Sequence, residues 1–186
     1  MTDQSRPGAA PAGRSPGRIV ERGRSKAYRP IAAGAREAAV ARGIAAYDRG
    51  AFYLAHEELE PAWMGTDDAP ERALIGGLIK LAAAFVHAER GNPLGVRTNL
   101  AGALDRLADA ARAGEPDAGL DLPALVVAVG ERLETVRSYV ARYGTSSIPR
   151  PADDPAPGHD VVGPPGRVRG ARVPIEPPHL PGRDRR

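Results

Sequence analysis

Residues 68–91 read DAPERALIGGLIKLAAAFVHAERG and predict the central helix of the fold. Asp68 and Glu71 have the spacing of a capping box, and Pro70 suits the first turn of a helix. From residue 73 to residue 88 the segment is apolar on nearly every side. A helix without a polar face lies in the middle of a bundle, where its neighbours cover it. This segment therefore favours a helical bundle built around it.

Four further segments have the pattern of amphipathic helices, because their apolar residues recur every three or four positions. No stretch of the chain alternates in the way of a half-buried strand. The sequence therefore predicts an all-α fold, a compact bundle of about five helices with disordered N- and C-terminal tails. With their caps, the predicted helices cover residues 35–48, 52–64, 68–90, 92–111 and 121–143.

The two ends of the chain differ from the middle in composition. Residues 1–30 carry seven basic and two acidic side chains, and residues 145–186 hold ten of the 19 prolines. Neither end has enough large apolar side chains to offset the entropy cost of ordering its backbone. The sequence predicts a disordered basic tail over residues 1–30, a helical domain over residues 31–148 and a disordered Pro/Arg-rich tail over residues 149–186.

The composition excludes several classes of protein. The 186 residues include no cysteine, which excludes disulfides, thiolate metal sites and cysteine nucleophiles. No apolar run approaches the roughly 20 residues that span a bilayer, and the first residues lack the apolar core of a signal peptide. We therefore expect a cytoplasmic protein that does not enter a membrane.

The second predicted helix carries an unusual polar cluster. A helical wheel places His56 and Glu60 on the same face as Leu59 and Trp63, with Glu57 at the boundary of that face. A histidine and a carboxylate four residues apart can bond to each other or bind one cation. The structural interpretation is a buried His56–Glu60 hydrogen bond, with Trp63 as a core residue.

The central helix adds two polar side chains to this cluster. Lys80 and His87 share a stripe with the small residues Gly76, Ala83 and Ala84, and buried polar groups need partners. Lys80 is interpreted either as an anion ligand or as a salt-bridge partner of the acidic side chains in the second helix. The predicted pocket consists of His56, Glu57, Glu60, Trp63, Lys80 and His87.

Two blocks of sequence resemble the bacterial and archaeal family called domain of unknown function 309. Residues 56–63, HEELEPAW, resemble its H-E-x-L-E-x-x-W signature, and residues 77–92 resemble its second block. The resemblance covers about residues 44–107 and implies a compact helical fold without an assigned activity. The family pattern implies Gln at the position of Lys80, so this chain departs from the pattern there.

Three functions remain open from the sequence. The first is a structural module, or a module that binds a small ligand or a partner, at the predicted pocket. The second is a metal-dependent or acid–base enzyme that uses His56, Glu57 and Glu60, with a divalent metal at His56, Glu60 and His87. The third is weak nucleic-acid association through the basic tails. The helix faces do not decide between a monomer and a homo-oligomer.

Overall fold

The computed structural model describes residues 16–114, 118–145, 173–180 and 182. Within these residues the chain forms five helices and one two-stranded sheet. The prediction of a compact bundle of five helices is confirmed. None of these helices is long and apolar enough to cross a bilayer. The helices are α1 (Ala33–Asp48), α2 (Phe52–Gly65), α3 (Ala69–Glu89), α4 (Pro93–Ala113) and α5 (Leu122–Tyr143).

Short polar side chains begin three of the helices. Asp68, Asn92 and Asp121 each accept a hydrogen bond from the backbone N–H three residues further on, at 2.8, 2.9 and 3.1 Å. These bonds satisfy N–H groups that have no partner inside the helix. The capping box predicted at Asp68 is only half formed, because the Asp68 N–H donates to Thr66 Oγ1 at 3.2 Å and the Glu71 carboxylate accepts from Arg36 Nε at 3.0 Å. The start of α3 is thereby tied to α1.

α3 lies between α2 and α4 and buries more residues than any other helix of the described chain. Its buried side chains include Leu74, Leu81 and Phe85. α4 approaches α3 closely at Gly77, where a Cβ would lie 2.8 Å from the side chain of Leu107. α3 therefore fixes the relative position of α2 and α4, which carry most of the candidate site.

Residues 17–28, which the sequence assigns to a disordered tail, form a β-hairpin. Strand β1 (Gly17–Glu21) pairs antiparallel with strand β2 (Arg24–Tyr28). Arg22 and Gly23 join them with positive φ values of 49° and 74°. Two consecutive positive φ angles match the tight turns that suit the twist of a hairpin. The expectation that no strand forms is therefore wrong for this segment.

Tertiary contacts hold the hairpin on the bundle. Tyr28 is only 4% exposed, and the backbone N–H of Arg29 donates to Met64 O at 2.8 Å. At the other end of the hairpin, Glu21 pairs with Arg72 Nη2 at 3.0 Å. An isolated two-stranded hairpin is at best marginally stable in water. The hairpin thus depends on the helices, which explains why its own composition does not predict it.

Residues 173–180 also pack on the helical domain. Val173 is buried, and its N–H donates to Ala88 O at 2.9 Å. Leu180 packs against the hydrophobic core. The prediction of a tail without structure does not hold for these residues. The parts of the two predicted tails that lie outside the described residues are 1–15, 149–172, 181 and 183–186.

Candidate functional site

α2 brings His56, Glu57 and Glu60 together on a face that is open to solvent. Each offers one ligand atom, and these atoms all lie within 4.8 Å of one another. His56 Nδ1 lies 3.2 Å from Glu57 Oε1, so His56 pairs with Glu57 rather than with Glu60. The side chains of His56 and Glu57 are 33% and 47% exposed. This arrangement differs from the buried His56–Glu60 bond of the structural interpretation.

His87 stands apart from that group. Its Nδ1 lies 3.1 Å from Asn92 Nδ2, and its ring packs so closely on Gly95 that a Cβ there would be 2.5 Å away. These contacts place His87 at the turn between α3 and α4. Among the described residues, the group of converging ligand atoms contains Glu57 and does not contain His87.

Trp63 packs against the core and has cations beside its ring. Arg72 Cζ lies 4.3 Å and Lys26 Nζ 5.9 Å from the ring centroid. Arg72 is 3% exposed, and its Nη1 donates to the carbonyl oxygens of Trp63 at 2.6 Å and Thr66 at 2.9 Å. Trp63 Nε1 is buried and has no hydrogen-bond acceptor within the described residues. Trp63 is therefore held firmly and retains an unused donor.

Lys80 faces other cations instead of the acidic side chains of α2. Its Nζ donates to Asn99 Oδ1 at 3.1 Å. Burial lowers the pKa of Lys80, and the neighbouring charges of Arg106, Lys26 and Arg24 lower this pKa further. A pKa that falls for both reasons indicates a partly desolvated ammonium group without a nearby compensating carboxylate.

Gly76 allows the side chains of Trp63 and Arg106 to approach each other. A Cβ at Gly76 would lie 3.1 Å from Arg106 Nε and 3.2 Å from Trp63 Nε1. Lys80 lies about one helical turn further along the same face of α3. β2 brings its basic side chains to the same place. We name this region the cationic groove and define it by Arg24, Lys26, Trp63, Arg72, Lys80, Asn99 and Arg106.

Glu21 neutralises only part of the charge at the cationic groove. Its Oε2 accepts from Arg72 Nε at 3.3 Å and Nη2 at 3.0 Å, and its Oε1 accepts from Arg106 Nη2 at 3.4 Å. One carboxylate therefore serves two guanidinium groups. In the part of the chain that the structure describes, the other three cations of the groove have no ion-pair partner.

The sequence identified Trp63 and Lys80 but missed the groups around them. Arg72 offered a signal, because an arginine in the first turns of a helix without a polar face requires an anion or other acceptors. Glu21 offered none, since its partners Arg72 and Arg106 lie 51 and 85 positions away in the chain. Only the fold brings these residues together.

Two arginines of the basic segment that the sequence linked to nucleic acid are paired within the protein. Arg18 Nη2 donates to Ser25 O at 3.0 Å, within the hairpin. Arg22 pairs with Asp105 at 3.7 Å and also with Asp109. These two arginines therefore hold the hairpin together and fasten it to α4.

A family model matches part of the helical domain. Residues 40–99 match the model of a domain of unknown function, DUF309. The matched range contains Trp63, Lys80 and Asn99, whereas the hairpin and Arg106 lie outside it. This match confirms the resemblance that the two blocks of sequence indicate. No curated protein and no solved structure matches the chain.

Proposed function

We propose that the helical domain, of which residues 40–99 match the DUF309 model, is a binding module for a small anionic ligand held in the cationic groove. The observation that carries the proposal is the unbalanced charge around Lys80. Bringing like charges together costs free energy unless an opposite charge joins them. An anion at the groove supplies the charge that the described residues lack.

The groove also offers suitable hydrogen-bond donors. Lys80 and Lys26 present ammonium groups, and Arg106 presents a planar guanidinium that matches a carboxylate or a phosphate. Trp63 adds a buried N–H without an acceptor among the described residues. Hydrogen bonds from charged donors to an anion are about twice as strong as neutral ones. These donors support a specific site in addition to a general attraction for negative charge.

Replacing Lys80 by Gln should weaken anion binding without unfolding the domain. Gln keeps a donor for Asn99 but removes the charge, so we expect the Kd for inorganic phosphate to rise at least tenfold, the effect of about 1.4 kcal/mol. Removing one of several like charges should leave the melting temperature nearly unchanged. Isothermal titration calorimetry of the full chain with phosphate and with malonate measures the affinity for the two anion classes.

Arg137→Gln is the matched control, because it removes the same charge from an exposed position on α5. This variant should bind both anions as the unmodified chain does. If both variants lose the same affinity, the net charge of the protein explains the loss, and this result would contradict a site at Lys80. The proposal also fails if the unmodified chain binds neither phosphate nor malonate.

A second candidate function is a metal-dependent enzyme centred on α2. It is favoured by the convergence of His56, Glu57 and Glu60 ligand atoms within 4.8 Å. One imidazole nitrogen and two carboxylate oxygens suit Zn²⁺ and other divalent first-row metals. Three protein ligands would leave a coordination position for water or substrate, as in catalytic zinc sites.

This second function predicts one Zn²⁺ per chain and a lower melting temperature after treatment with a chelator. Elemental mass spectrometry on untagged protein and paired melting curves measure both effects. Glu60→Gln should lose the metal, whereas Glu58→Gln should keep it, because Glu58 pairs with Arg42 outside the ligand group. His87→Asn should keep it as well. If the protein binds no Zn²⁺ after one equivalent of Zn²⁺ is added, this function is contradicted.

A further inference from the structure

The cationic groove contains a place where a carboxylate of the chain itself is held. Arg72 and Arg106 hold the Glu21 carboxylate between them, with three N···O distances of 3.0–3.4 Å. Arg72 is almost fully buried and is fixed by two backbone carbonyls and by its position over the Trp63 ring. A rigid, buried guanidinium with its donors aimed at a carboxylate forms a built anion subsite.

Arg106 belongs both to the place that holds Glu21 and to the surroundings of Lys80. Its Nη2 lies 3.4 Å from Glu21 Oε1, while its Nε lies beside Gly76 and Trp63. The subsite that holds Glu21 and the subsite at Lys80 therefore share one guanidinium group. A guanidinium group offers donors along two edges, so two anionic groups joined by a short link can occupy both subsites together.

Glu21 lies on an element that can leave the subsite without disturbing the bundle core. It is the last residue of β1, next to the turn at Arg22 and Gly23. The contacts of this end of the hairpin with α4 are ion pairs, two made by the partly exposed Arg22 and one made by Glu21 itself with Arg106. The hairpin is anchored at its opposite end, where Tyr28 is buried. Release of Glu21 therefore requires movement of the turn end only.

We infer that Arg72 and Arg106 form a second anion subsite of the cationic groove, that Glu21 fills it in the free protein, and that a ligand with two adjacent anionic groups displaces Glu21 when it binds. This inference rests on the proposed function and names the ligand class. A ligand with a single anionic group occupies only the subsite at Lys80 and leaves Glu21 in place. Glu21 thus acts as an internal competitor that favours doubly anionic ligands of sufficient affinity.

The test compares orthophosphate, which has one anionic group, with pyrophosphate, which has two. Titration calorimetry on the full chain gives both affinities. Metal at His56 is first removed with a chelator, and the chelator is then dialysed away because it carries several anionic groups itself. In Glu21→Gln the affinity for pyrophosphate should rise about tenfold, because the competing charge is gone. The affinity for orthophosphate should change much less, so the ratio of the two dissociation constants is the diagnostic quantity.

Glu134→Gln is the control for general charge, since Glu134 pairs with Arg137 on α5 and contacts neither the hairpin nor Arg72 or Arg106. It should leave the ratio of dissociation constants unchanged. If both anions bind and Lys80→Gln weakens them, but Glu21→Gln leaves the ratio unchanged, the inference is wrong and the proposed function stands. If neither anion binds the unmodified chain, the proposed function fails and the inference fails with it.

A measurement on the unmodified protein keeps the inference testable if Glu21→Gln does not fold. The ¹H–¹⁵N signals of the Arg72 and Arg106 Nε groups report on the anion beside them. Saturating pyrophosphate should shift both signals, because phosphate oxygens replace the Glu21 carboxylate. Orthophosphate should leave the Arg72 signal in place. Unshifted Arg72 and Arg106 signals at saturating pyrophosphate would overturn the inference.

Discussion

Replacing Arg72 by Met should lower the free energy of unfolding by about 3–5 kcal/mol, the cost of breaking a buried ion pair from one side. The substitution keeps an extended aliphatic side chain in the core but removes every donor. Glu21 then loses its closest cation, and the carbonyl oxygens of Trp63 and Thr66 lose the hydrogen bonds they accept at 2.6 and 2.9 Å. Urea denaturation of the full chain measures the change.

Arg42→Met is the matched control for this prediction. Arg42 also pairs with a glutamate, Glu58, at 2.7 Å, but its side chain is 58% exposed. An exposed ion pair contributes only about 0.2–1 kcal/mol, because water and salt screen it. Similar losses in the two variants would show that the burial of Arg72 has no energetic importance, and would remove the basis for a built anion subsite.

A chain that begins at residue 29 should also be less stable than the full chain, by about 3–5 kcal/mol. The deletion removes Glu21 and leaves the Arg72 guanidinium buried without a counter-charge. It also removes Tyr28, so the apolar surface beneath that ring meets water. The composition of residues 1–30 predicts the opposite, because deleting a disordered tail leaves the stability of a domain unchanged.

The control for this deletion is a chain that begins at residue 16, just before the hairpin. It keeps every contact of β1 and β2 and should unfold at the same urea concentration as the full chain. Comparing the two truncated chains thus assigns the stability change to residues 16–28. If the chain that begins at residue 29 is as stable as the full chain, the hairpin does not belong to the folded domain.

Local sequence was sufficient for the helices because the signals of helix formation are local. A cap such as Asp121, a proline in the first turn and a glycine such as Gly144 after the last turn act within a few residues. The apolar stripes identify the buried faces for the same reason, since the period of 3.6 residues is set by the backbone alone. The predicted helix bounds therefore agree closely with those of the structure.

For the candidate metal site, the sequence predicted which side chains meet but not how buried they are. His56, Glu57 and Glu60 lie within five residues of one another, so one turn of helix decides that their side chains meet. The helical wheel nevertheless favoured a buried bond between His56 and Glu60, whereas the structure pairs His56 with its exposed neighbour Glu57. The burial of a side chain depends on which elements pack against its helix, and a helical wheel does not include those elements.

The amino-acid sequence by itself determined the five helices, the central place of α3 and the match of residues 40–99 to the DUF309 model. Only the tertiary structure decided that residues 17–28 form a hairpin and that Lys80 faces cations. Both results depend on contacts between residues far apart in the chain, such as Glu21 with Arg106 across 85 positions. The free energy of such contacts comes from burial and charge pairing after the bundle has formed, and it has no counterpart in local composition.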